Sequence, residues 1–158
     1  MTDPWRSTLD DALALIARVP GYAPVAEQLQ RLRDRGAIRI LPGLADRAHA
    51  GLLGSITLGP EPFQDGVLSL AETLVHEAFH LRQNPLEKTA SFWLGVVTGA
   101  PVMRRYERPA YRAAADFLRA VAAHLPELAD EAARERFAVE QVFRTEYGAE
   151  LVPITAGD

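Results

Sequence analysis

The stretch from Ser69 to Gln83 constrains the fold more than any other part of the chain. Ser69 is a suitable helix N-cap, and Glu72 three residues later completes a capping box. Asn84 and Pro85 provide the stop. Between these signals, Leu74, Val75, Ala78, Phe79 and Leu81 surround three ionisable residues, His76, Glu77 and His80. A helix so widely apolar is expected to bury its other faces against neighbouring elements and to shield the polar group from bulk water.

The rest of the chain supplies those neighbours. Leu9, Leu13 and Ile16 share a face of a helix predicted over Ser7 to Arg18, capped by Ser7 or Thr8 and ended by Val19, Pro20 and Gly21. Val25, Leu29 and Leu32 mark a second helix from Ala23 to Arg35, stopped by Gly36. The period then changes. Ala37 to Leu41 and Leu53 to Leu58 read as short strands, with Ile38 and Ile40, then Ile56 and Leu58, in phase. Leu44 to Gly51 is small, polar and aperiodic, and Gly59, Pro60, Pro62 and Gly66 suggest a loop. Beyond the Ser69 helix, a short helix is expected over Thr89 to Val97 and a long one from Arg105 to His124. A last one runs from Glu127 to Arg144, with Phe137, Val139, Val142 and Phe143 available for burial. The expected fold is α+β: one helix-dominated domain over residues 1–158, with a small sheet preceding the Ser69 helix.

Composition narrows the chemistry. A chain of 158 residues, 48% hydrophobic and 24% charged, can bury a core without covalent staples. It has no cysteine, which excludes disulfides, thiolate ligands and a cysteine nucleophile. The net charge of −4 gives no basic footprint for nucleic acid. Arginines at 31, 33 and 35, and at 104, 105 and 108, read as solvated helix faces. Neither a signal peptide nor a bilayer-length apolar run is visible, so a cytoplasmic protein without membrane attachment is expected.

The residues from His76 to His80 form His-Glu-x-x-His. Two histidines four apart lie one turn above each other, so their imidazoles can converge on one ion. Glu77 adjoins them and can take a proton from a water at that ion. A catalytic zinc site needs a third protein ligand and an open position. An extended pattern with a further histidine is absent, because position 83 is Gln83 and position 86 is Leu86. The best carboxylate is Glu107, at the start of the long helix, where Pro109 is tolerated in a first turn. Tyr111 shares its face. Asp116 and Glu72 compete for the role, and His49 and His124 are the remaining histidines. Tyr111, Tyr106 and His49 are candidate hydrogen-bond donors to a developing oxyanion, with Tyr111 first.

This pattern resembles the gluzincin zinc metallopeptidases, and the chain's size resembles their single-domain minigluzincin members. The resemblance covers Ile56 to Phe117 and rests on His76, Glu77, His80 and Glu107. It implies Zn2+ held by His76, His80 and Glu107, with Glu77 as general base. It also implies a peptide or protein substrate, received in extended form by the strand Leu53 to Leu58. The segment from Glu107 to Tyr111 departs from the Asn-Glu-x-x-Ser-Asp pattern of the best-known members. Two other readings use the same residues. Two histidines and a carboxylate also suit an iron- and 2-oxoglutarate-dependent hydroxylase, for which Arg82, Arg104 or Arg108 could hold the cosubstrate. A non-catalytic zincin-like module would close the site with a fourth ligand such as His49 or Asp116.

Overall fold

A computed structural model describes residues 4–51, 54–83, 102–148 and 151. Its helices are α1 (Pro4–Arg18), α2 (Ala23–Asp34), α3 (Glu61–Asp65), α4 (Val67–His80), α5 (Val102–His124) and α6 (Ala129–Tyr147). A single 3-10 turn, Pro126–Leu128, joins the last two. Three strands, β1 (Ile38–Ile40), β2 (Ala48–Gly51) and β3 (Ser55–Leu58), form one small sheet. The described chain is helix-dominated α+β, as expected. The helix expected at Thr89 to Val97, and the Asn84–Pro85 stop, lie outside the described residues.

The α4 helix is the hub. It packs against α1, α2, α3, α5, α6 and β2. Leu70, Ala71, Leu74 and Ala78 are completely buried along it, and each fully buried leucine contributes ~1.5–3 kcal/mol. Leu9, Leu13 and Ile16 of α1 and Leu29 and Leu32 of α2 are buried as their spacing required. From the other side come Ala110, Ala114, Phe117 and Leu118 of α5, all at zero exposure. Small side chains let helices pack at the short end of the usual ~8–10 Å spacing.

The start of α4 differs from expectation. The helix begins at Val67, not after Ser69, because Gly66 makes the preceding turn at φ +112°, a region L-residues avoid. Burial of Leu68 then rewards the earlier start. Ser69 is inside the helix and accepts a hydrogen bond from Arg47 at 2.5 Å, so the capping box does not form. The helix ends at His80, earlier than Gln83, in a succession of tight turns.

The sheet order is β1-β3-β2, with β1 parallel and β2 antiparallel to β3. Ile56 and Leu58 are fully buried beneath it. Of the strand expected over Leu53 to Leu58, the part β3 (Ser55–Leu58) is the central one, hydrogen-bonded on both sides, and cannot take up a further strand; Leu53 lies outside the described residues. The aperiodic stretch before it supplies β2, an edge strand. Gly59 passes so close to this segment that a Cβ would stand 2.4 Å from the Asp46 carbonyl oxygen. The expected loop after Gly59 contains α3, whose Glu61 and Asp65 hold Arg47 at 3.0 and 2.8 Å.

The α5 helix starts at Val102, so Pro109 lies inside it and beyond the first turn. Its missing N–H removes one helical hydrogen bond just after Glu107. Of the α6 residues expected to be buried, Val139 and Phe143 are, whereas Phe137 is 63% and Val142 44% exposed. At ~100° per residue, Phe137 stands roughly 140° from the stripe made by Ala132, Val139 and Phe143. No described helix is long and apolar enough to cross a membrane.

Candidate metal centre

The last two turns of α4 and the second turn of α5 bring three donors together. His76 and His80 approach through Nε2 at 3.0 Å. Glu107 Oε2 lies 2.9 Å from His80 Nε2 and 3.5 Å from His76 Nε2. A triangle with these sides has a circumscribed radius of about 1.8 Å, shorter than the ~2.0–2.2 Å of zinc–nitrogen and zinc–oxygen bonds. One point therefore exists at bonding distance from all three, and the residues fit a small divalent cation. Among the described residues this is the one group of three such donors that converges.

The surroundings orient the donors. The second nitrogen of His80, Nδ1, lies 2.6 Å from Gln83 Oε1. An amide oxygen only accepts, so Nδ1 carries the proton and the Nε2 lone pair faces the group. The Gln83 amide donates onward to the Tyr106 carbonyl at 3.1 Å. Tyr106 stacks on His80, with ring centroids 4.9 Å apart and planes at 12°. Tyr111 presents an edge to His76 at 4.8 Å and 89°. Such second contacts fix tautomer and ring orientation in metal sites. Gln83 gave no sign of this role in the sequence beyond its place three residues after His80.

Electrostatics keeps the Glu107 carboxylate ionised beside the histidines. Burial would push the Glu107 carboxyl up, but its hydrogen bonds with His76 and His80 hold it down at about 2. Burial opposes a charge on His76, yet the bond to Glu107 and the nearby Glu77 and Glu72 raise its pKa. Glu77 is 6% exposed, and among the described residues its side chain has no hydrogen-bond or ion-pair partner. Its carboxylate opens into the cleft and is not sealed in the core.

The group opens into a cleft of about 670 Å3. The Ala45–His49 segment forms one wall, α4 the floor with Glu72, Thr73 and Glu77, and α6 the other wall with Glu135, Val139 and Tyr147. His49 is exposed and faces the cleft from β2. Asp116 is exposed and bound to Arg119, and His124 is exposed at the end of α5. None of these three belongs to the converging group, nor does Glu72. The Tyr111 hydroxyl donates to Glu146 at 3.3 Å, and burial first, then Glu146, raises its pKa well above the usual phenol value. Tyr106 does not line the cleft. Arg47 and the α6 residues were not foreseen as part of the site.

Comparison of the chain with protein-family models, with curated proteins and with solved structures finds no match.

Proposed function

We propose that this chain is a zinc-dependent hydrolase, a single-domain peptidase of gluzincin type. The observation that carries the reading is the convergence of His76, His80 and Glu107 beside Glu77, whose side chain has no hydrogen-bond partner among the described residues, at the floor of an open cleft. His76, His80 and Glu107 would hold Zn2+, which when bound acidifies a water and polarises a carbonyl. Glu77 accepts the proton of the attacking water and returns it to the leaving amine. Its isolation suits this work, since no existing hydrogen bond has to be broken first. Tyr111 and His49 line the cleft and are the candidate donors to negative charge on the scissile carbonyl oxygen, Tyr111 by releasing Glu146. An extended peptide would lie along the outer edge of β2, because β3 has no free edge.

The rival iron-dependent hydroxylase needs a cation for its cosubstrate. Arg82 is exposed and bonded to Gln28, Arg108 lies over the Phe143 ring at 5.7 Å, and neither they nor Arg104 line the cleft. Arg47 does, but it is bound to Glu61, Asp65 and Ser69. A closed, non-catalytic site would need a fourth protein ligand, and none converges among the described residues.

The test is Glu77→Gln. The amide keeps the shape of the carboxylate but cannot take a proton. The variant should hold one zinc per chain and lose at least 100-fold in peptide hydrolysis, the range for removing a general base. Unchanged hydrolysis by the zinc-loaded variant would overturn the assignment.

A further inference from the structure

The cleft is far more acidic than the chain as a whole. Among the described residues, seven of the chain's 21 carboxylates line it, against one of its 17 lysines and arginines, Arg47. Glu107 and Glu77 are accounted for by the proposed reaction, Glu61 by its pair with Arg47, and Glu146 by Tyr111. Asp46 is exposed to solvent, which leaves Glu72 on α4 and Glu135 on α6. Glu72 is only 7% exposed, its Oε2 receives a single 3.3 Å bond from the Thr73 hydroxyl, and it has no ion-pair partner among the described residues. Glu135 is half-buried and likewise has none. The arginine of the cleft lining, Arg47, spends its hydrogen bonds on Glu61, Asp65 and Ser69. Burial raises the pKa of both carboxyls; His76 and Arg47 oppose it at Glu72, and Arg47 and Arg134 at Glu135, without cancelling it.

A second metal ion does not account for these acids, because no further group of three donors converges among the described residues. A cation on a flexible stem does. Glu72 precedes His76 by four residues on α4, about 6 Å along the axis at ~1.5 Å per residue. That is roughly the reach of a lysine or arginine side chain. The apolar Val139 and Val142 on the neighbouring wall would cover the methylene stem.

We infer that the cleft selects peptides carrying lysine or arginine within a residue or two of the bond that is cut, with Glu72 and Glu135 as the specificity residues, an inference that rests on the peptidase reading. Three fluorescein-labelled octapeptides, identical except for two central lysines, glutamines or glutamates, separate the two claims. Binding is measured by anisotropy to zinc-loaded Glu77→Gln protein, and cleavage by mass spectrometry with the unaltered protein. The lysine peptide should bind at least tenfold more tightly than the glutamine peptide, with the glutamate peptide weakest, and the preference should shrink with added salt. Introducing Glu135→Gln, and separately Glu72→Gln, should reduce the lysine-to-glutamine ratio about tenfold. Glu135 is partly exposed, so its variant tests the subsite independently of any change at the buried Glu72. Lysine-selective binding without cleavage would support the subsite and count against the peptidase. Equal binding of all three peptides, or cleavage without basic preference, would overturn the subsite and leave the peptidase reading standing.

Discussion

At the scale of single residues, the group His76, Glu77 and His80 was legible because helical spacing alone determines that residues four apart share a face. Glu107 was legible because it lies near the start of the long helix expected from Arg105 to His124. Gln83 was not, since its role depends on the helix ending at His80 and freeing its side chain to turn back. The same group predicts how the metal-free protein responds to pH. The folded His76 pKa lies above its ordinary 6.5, so its contribution is complete below 6.5 and is lost as pH rises through the raised value. The folded Glu107 pKa is lowered from 4.5 to about 2, so its contribution is complete above 4.5 and is lost as pH falls toward 2. In chelator-treated protein, the stability difference between the native chain and Glu107→Gln, followed by urea denaturation, should therefore be largest between pH 4.5 and 6.5 and smaller on both sides. A pH-independent difference would mean that the histidines and Glu107 are not electrostatically coupled.

At the scale of elements, periodicity located every long described helix, but it did not set which apolar residues face inward. Phe137 and Val142 are apolar and out of phase with the α6 stripe. The strand β2 was missed because Ala48, His49, Ala50 and Gly51 have weak strand preference, and pairing with β3 decides their conformation. The prolines at 60 and 62 read as loop although proline is tolerated in a helix's first turn, where α3 begins. These assignments can be checked by stability. Replacing the completely buried Leu74 of α4 by alanine should cost ~2–5 kcal/mol. Phe137→Ala, at a position 63% exposed, should change stability by less than ~0.5 kcal/mol. Comparable losses at both positions in urea melts would contradict the helix phase. Glu72 makes a different prediction for α4. Its folded pKa is raised by burial, so its ionised form opposes folding above its ordinary pKa. Glu72→Gln should raise the thermal midpoint at pH 7 by a few degrees, and a lower midpoint would show that His76 and Arg47 compensate the charge fully.

At the scale of the whole molecule, two helices distant in sequence set the three donors, while β2 and α6 wall the cleft in front of them. The fold class and the centre of the site were accessible from local patterns. The walls were not, because Arg47, Glu135, Val139 and Tyr147 meet only when α6 and the β2 segment fold over α4, and no local spacing records that. The central claim is that His76, His80 and Glu107 bind one zinc ion and leave a position open. A crystal structure of the zinc-loaded protein, with anomalous data on both sides of the zinc edge, tests it most directly. The account predicts one peak per chain at ~2.0–2.2 Å from His76 Nε2, His80 Nε2 and a Glu107 carboxylate oxygen, with the remaining position facing the cleft and free of protein atoms. A peak centred on other residues, or a fourth protein ligand closing the site, would contradict it.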